Sequence, residues 1–464
     1  MLTTSHRLRR TRVRCAVFAL AALAAACSTT DDDSSTATAA VTAASASDTT
    51  AAANTTPAPE TTVPPAENGP GVTDTEIFIG VETNEKSQAA QNATTGVQVR
   101  EVGAQVQILV DGINAGGGIN GRTITLVKAD FDPAAETGAQ ENAACNTFTK
   151  DNEVFAVLGL RTDASEAYLS CLAEADTLYI AGSPTQPADE QLLTAAANLW
   201  APQTMVLDEF AAAYVAALDD SGFFADATLG VVVSADNPIF QRVYEATLVP
   251  ALEAVGVTPA YVASVPDSFE RAMEVVPTEL LKMQEAGVNK VLALEPNGIG
   301  IGVTVLIGSS QGLVLVPAMS TFDTPEPVRA TLPPGSLAGV VGFAFGSPVE
   351  ENQVANLNAT ATECLDVLTA AGEEIADGNA RGVSFISCAN TWFLRDVLAA
   401  VPGEVNGESF AAAAESLGAE YESAWGSLDL TVGHRTGQHL LQPFTLDPAC
   451  DCFAYSTDLR DTRS

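Results

Sequence analysis

Histidine is nearly missing from this chain, with three in 464 residues, and basic side chains are few, with 21 Lys and Arg against 58 Asp and Glu. So little imidazole removes the usual base from serine and cysteine nucleophiles and the usual ligand from zinc. His434 and His439 stand five apart and do not share one helical face, so neither a metal nor another cofactor is expected. The net charge of −37 argues against nucleic acid and anionic lipid surfaces as partners and reads as a solvated acidic exterior. There is no G-x-x-x-x-G-K-[ST] phosphate loop, no H-E-x-x-H and no short-period repeat. Beyond the first 30 residues no run is apolar and long enough to span a bilayer.

What the beginning does contain is five arginines (Arg7, Arg9, Arg10, Arg12, Arg14), a short apolar run and small residues, the layout of an export signal. It stops at Ala24-Ala25-Ala26-Cys27, which resembles the bacterial lipobox, in which the cysteine is acylated and becomes the mature N-terminus. The reading is a lipoprotein signal over residues 1–26, with Cys27 tying the chain to the outer face of the bacterial cell membrane. Loss of the signal removes five basic and no acidic residues, leaving 16 against 58, a net charge of −42.

Residues 27–70 are almost wholly Ser, Thr, Ala, Pro and Asp, with no aromatic side chain, and are expected to be a disordered tether. As a flexible coil it reaches roughly 35 Å. The remainder, from about residue 71, is too long for one small core and fits two lobes. With Cys15 in the signal and Cys27 lipidated, six cysteines remain, an even number suited to an oxidising compartment. Six cysteines allow fifteen pairings. Closeness along the chain favours Cys145 with Cys171, then Cys364 with Cys388 and Cys450 with Cys452.

After the tether, strand-like runs at 77–81, 124–127, 154–158 and 178–180 alternate with helical patterns, the mark of a parallel α/β sheet. Val99, Val102, Val106, Leu109 and Ile113 fall at spacings of 3, 4, 3 and 4, one buried helical stripe. The alternation restarts after Trp200, with a helix over 205–218, strands at 229–233, 261–265 and 291–294 and a helix over 269–286, so a second lobe is expected. Further strands are expected at 313–316 and 340–345, helices around 354–371, 392–400 and 409–417, and short extended pieces near 428–432, 440–444 and 453–455.

Two tempting motifs sit in the wrong context. Gly116-Gly117-Gly118-Ile119-Asn120-Gly121 matches G-x-G-x-x-G, with Glu141 twenty residues on, but it follows a helix and precedes a strand, the reverse of a dinucleotide site. The glycines are expected to close the helix instead. Gly308-Ser309-Ser310-Gln311-Gly312 matches G-x-S-x-G, with Asp429 and His434 in hydrolase order. A nucleophile elbow must feed a helix and this one precedes a strand-like run, so a serine hydrolase using Ser310 is only the minor alternative.

Gly71-Val72-Thr73-Asp74-Thr75-Glu76-Ile77 leads into the first strand, and Gly112-Ile113-Asn114-Ala115-Gly116-Gly117-Gly118-Ile119-Asn120-Gly121-Arg122 closes the first helix. Together these strongly resemble the branched-chain amino-acid type of periplasmic solute-binding protein, the type 1 receptor of ABC importers. The resemblance implies two α/β lobes, each a mostly parallel sheet flanked by helices, joined by three hinge crossings near Trp200, Gly346 and Leu428. The first lobe would hold 71–200 and 346–428, the second 201–345 and 429–464. Open α/β sheets bind ligands at the carboxyl ends of their strands.

Carried over to this chain, the resemblance places candidate ligand contacts at Thr162, Asp163 and Ser165 after the third strand and at Ser183 and Thr185 after the fourth. Thr185 is the best match. Caps of helices use the same residue types. In the second lobe Phe240 stands where amino-acid binders carry tyrosine, and Ser320-Thr321-Phe322-Asp323 replaces the usual acidic contact, leaving Ser320 and Asp323 as candidates. The first loop, with Asn84, lacks the usual glycine-proline pair. The resulting expectation is a non-enzymatic, monomeric lipoprotein that captures a small polar solute, an amino acid or related compound, for an ABC permease and ATPase. A ligand sensor passing its closed form to a membrane receptor is the alternative.

Overall fold

Strand β1 (Glu76–Thr83) is buried on both faces over most of its length, as a central strand of a parallel sheet must be. It pairs with β2 (Thr123–Asp130) and β3 (Ala156–Gly159); β4 (Leu178–Ala181) and β5 (Leu199–Trp200) continue the sheet, all parallel, in the order β2-β1-β3-β4-β5. The computed structural model describes residues 67–85, 102–132, 136–159, 161, 164–431 and 435–463. Cys27, Thr162, Asp163 and His434 lie outside them.

Helix Val102–Ala115 covers one face of this sheet through Val106 and Val110, beside Phe393 and Val397 of helix Gly378–Ala400. The two helices are tied by buried Gln105, which donates to Ser384 Oγ (3.3 Å) and accepts from Ser387 Oγ (2.8 Å). Gly118 N–H returns to the carbonyl of Ile113 with φ +73°, so the glycines close the first helix as expected. Helices Thr137–Asn146 and Glu166–Ala173 cover the other face and are stapled by the Cys145–Cys171 disulfide.

The second sheet contains β6 (Leu229–Ser234), β7 (Tyr261–Val265), β8 (Lys290–Leu294), β9 (Val316–Ser320) and β10 (Val341–Ala344), paired in parallel in the order β7-β6-β8-β9-β10. It is extended on the β10 side by antiparallel β13 (Leu440–Asp447) and β14 (Cys452–Tyr455), with β15 (Arg460–Asp461) also on β13. Helices Leu207–Asp220 and Pro238–Val243 lie on one face, helices Phe269–Glu285, Ile299–Ser310 and Pro325–Thr331 on the other. This is a two-lobed α/β fold. The chain passes between the lobes after β5, after β10, and between β12 (Gly426–Leu428), which forms a hairpin with β11 (Tyr421–Ser423), and β13. The disulfides Cys145–Cys171, Cys364–Cys388 and Cys450–Cys452 are all formed.

Several elements differ from the sequence expectation. The strand expected at 313–316 starts three residues later, as β9, because Gly312 (φ +76°) ends helix Ile299–Ser310, Leu313 N–H turns back to the Gly308 carbonyl, and Val314 is 79% exposed. That helix was hidden by Gly300 and Gly302 and a run of β-branched residues, which read as strand or turn. The helix expected over 392–400 begins at Gly378, capped by the Asp377 carboxylate on Ala380 N–H. Residues 67–70, assigned by composition to the tether, are docked: Gly69 N–H donates to Val405 O (2.7 Å) and Asn68 Oδ1 accepts from Val405 N–H (2.9 Å).

Candidate functional site

A cavity of about 240 Å³ lies between the two lobes. It is built from loops at the carboxyl ends of β4, β8, β9 and β10, together with the segments next to the second and third crossings, so it lies against the hinge. The first lobe contributes Ser183 and Thr185 after β4, and Asn379, Val383 and Ile386 from the first turns of helix Gly378–Ala400. The second contributes Asn297, Thr321, Thr324 and Glu326. The segment after β10, from Phe345 to Glu350, forms the back wall with Trp425 and Tyr455.

Thr185 is 3% exposed, and its hydroxyl donates across the cleft to Asn297 Oδ1 (3.2 Å) and lies 2.8 Å from Ser183 Oγ. This contact joins the two lobes at the cavity wall. Phe345 is held from behind by Phe210 and Phe322, edge to face at 6.1 and 5.3 Å, so the wall is backed by interlocked rings. Gly346 has φ +84°, and a Cβ on it would stand 2.1 Å from Trp425 Nε1. The crossing therefore needs glycine twice, for its backbone and for the indole that lies over it.

Electrostatics in the second lobe are set by buried carboxyl groups. Asp323 is fully buried and burial raises its pKa to about 7, against the opposing bonds from Ser320 N–H (2.6 Å) and Ser320 Oγ (3.0 Å). Glu295 is driven well above the ordinary carboxylate range by burial and then by repulsion from Asp323, while Gly300 and Ile301 N–H at the start of helix Ile299–Ser310 oppose the shift. Glu350, 3% exposed, accepts from Tyr455 Oη at 2.6 Å, and burial raises its pKa.

Of the residues expected at the site, Ser183 and Thr185 line the cavity. Ser320 and Asp323 cap a helical turn just behind it, and their neighbours Thr321 and Thr324 form the wall. Phe240 is fully buried, with its ring against Phe322 at 6.0 Å, and does not line the cavity. Ser165 caps helix Glu166–Ala173 by accepting from Tyr168 N–H and donates to Glu141. Asn84, half-buried after the inner strand β1, is not in the wall. Glu350, Trp425, Tyr455, Asn297 and Ile386 were not anticipated, because they meet only where distant crossings converge. Ser310 is the exposed last residue of helix Ile299–Ser310, its hydroxyl donated to Ile307 O (2.7 Å), so no nucleophile elbow exists there.

Residues 76–447 match the profile of the periplasmic binding protein family. The chain belongs to that family. It is accordingly an extracytoplasmic binding protein that takes a small solute between its two lobes and carries out no chemistry on it. No curated protein sequence matches the chain. Solved structures similar to this binding protein include an R. palustris ABC-transporter solute-binding protein in complex with 4-hydroxybenzoate, at 13% identity and TM-score 0.62, covering 83% of this chain and 97% of that one. A fatty acid ABC transporter substrate-binding protein from Thermomonospora curvata has 16% identity and TM-score 0.60, covering 85% and 95%. The branched-chain amino acid binding protein LivJ of Streptococcus pneumoniae, in complex with isoleucine, has 16% identity and TM-score 0.56, covering 82% and 99%.

Proposed function

We propose that this binding protein receives a small solute for an ABC importer while tethered by a lipid on Cys27 to the outer face of the cell membrane. The observation that carries the reading is the cavity whose wall is shared by both lobes and bridged by Thr185 and Asn297. A ligand touching both lobes binds the closed form better than the open one, which is what a permease needs in order to tell loaded from empty. The similar proteins named above are described as ABC transporter components. Their named ligands or substrates, 4-hydroxybenzoate, fatty acid and isoleucine, each combine an apolar body with a polar end. The mixture of Phe345, Val383 and Ile386 with Ser183, Thr185 and Asn297 suits a solute of that kind, an amino acid or related compound.

In this reading residues 71–200 with 346–428 move as one lobe, 201–345 with 429–464 as the other, and the residues from 27 to the docked segment 67–70 reach from the membrane. Ser183 and Thr185 hold the solute from the first lobe, and Ser320 and Asp323 brace the second-lobe wall from behind. Mass spectrometry of what is released when the purified protein is unfolded tests the reading. A stoichiometric small solute that rebinds is expected; a protein that releases nothing and is not stabilised by any importer-type solute contradicts it. Labelled palmitate should enter the protein in the cell, and Cys27→Ala should abolish that.

A further inference from the structure

We infer that the cavity is built for an organic ammonium compound, whose charged amino group meets Glu350 on the hinge side of the cleft. The inference rests on the reading of the cavity as the solute site and names what that site selects. The wall contains two charged side chains, Glu326 and Glu350, and no basic one. Glu326 is already paired, with Arg329 Nη2 and Nε each 2.6 Å from its two oxygens. Glu350 is different. Its Oε1 accepts from the neutral Tyr455 hydroxyl, its Oε2 is buried with no hydrogen-bond partner, and it forms no ion pair among the described residues. A buried carboxylate of this kind is costly unless a cation reaches it.

Tyr455, which donates to Glu350, and Trp425 both line the cavity, and aromatic rings are a favourable setting for an ammonium ion. The Trp425 indole N–H is likewise buried without a partner, so it offers a hydrogen bond to an acceptor elsewhere on the same molecule. An organic anion would enter a wall holding no cation and would face Glu350 directly. The net charge of the whole chain, −37, also draws cations towards the cleft and repels anions.

Two pairs of probes, matched in shape and opposite in charge, test the inference on the full-length protein by calorimetry and thermal shift: benzylamine against benzoate, and isopentylamine against 4-methylpentanoate. The amines are expected to bind and raise the thermal midpoint while the carboxylates do neither. Glu350→Gln should weaken the amines tenfold or more and leave the midpoint of the unliganded protein within a degree or two; Tyr455→Phe should weaken them less. Binding of the carboxylates in preference to the amines, binding of none of the four, or a Glu350→Gln protein that binds amines like the wild type would overturn the inference. The probe comparison on the unaltered protein stands whether or not the variant folds. Release of an amine-free anion from the purified protein would overturn the inference and leave the receptor reading intact. No released compound and no binding of any probe or importer-type solute would overturn both.

Discussion

Thr185 links contact to closure, because its hydroxyl reaches across the cavity wall from one lobe to the other. Thr185→Val keeps the shape and removes the donor. We expect it to weaken solute binding by about 1–2 kcal/mol, the size of a lost buried hydrogen bond, while the unliganded protein melts as before. Equal binding with a lower melting temperature would make Thr185 a structural residue. Asp323 makes a pH prediction. In the fold it keeps its proton up to about pH 7, whereas in the unfolded chain it releases it near the ordinary value of about 4. Between those limits the unfolded state binds fewer protons, so this group lowers stability as pH rises from about 4 to about 7. Asp323→Asn, which still accepts from Ser320, should therefore gain stability relative to wild type across that window, read as a growing difference in urea midpoint. A difference that stays flat with pH would contradict the assignment. Ser183 and Thr185 were legible in sequence because a strand-end loop carries them as neighbours. Glu350, Trp425 and Tyr455 were not, since 105 residues separate Glu350 from the Tyr455 hydroxyl that it accepts. Phe240 shows the converse: expected at the ligand, its side chain is taken into the core by the rings of the second lobe.

The elements that could be read were those whose periodicity is unambiguous. Strands β6, β7 and β8 and helix Phe269–Glu285 fall within a residue or two of expectation, because apolar runs alternate there with a clean helical stripe. Helix Ile299–Ser310 and the first half of Gly378–Ala400 escaped, since glycine and small polar residues carry no helical stripe and the packing of the two lobes decides their state. The disulfides act at this scale. Cys364–Cys388 joins helix Ala359–Ala370 to Gly378–Ala400, the helix whose first turns line the cavity. Replacing both cysteines by alanine should cost about 3.5 kcal/mol by loop-closure entropy, seen as a lower urea midpoint. The ring closed by Cys450–Cys452 is too short to restrain the unfolded chain comparably, so its removal should cost least. Gly346→Ala tests the second crossing. A methyl group there meets the Trp425 ring on a left-handed backbone, and a loss of about 1–3 kcal/mol is expected, again by urea midpoint.

At the scale of the whole molecule, three crossings on one side of both sheets leave the opposite side free to open, and the cavity sits where the crossings converge. Two-lobed architecture could be inferred from the sequence because the α/β alternation starts twice. The placement of the cavity against the hinge could not, since it depends on how β10, β12 and the terminal hairpin β13–β14 fold back on one another. Closure requires that the solute hold both lobes, for a ligand shifts an equilibrium only by its difference in affinity for the two states. Small-angle scattering of the protein from residue 64 onward, stripped of solute and then saturated with the compound it releases on unfolding, measures that directly. The account predicts a smaller radius of gyration on saturation, reached in Thr185→Val only at a solute concentration about five- to thirty-fold higher. An unchanged radius at saturation, with tight binding established by calorimetry, would contradict it.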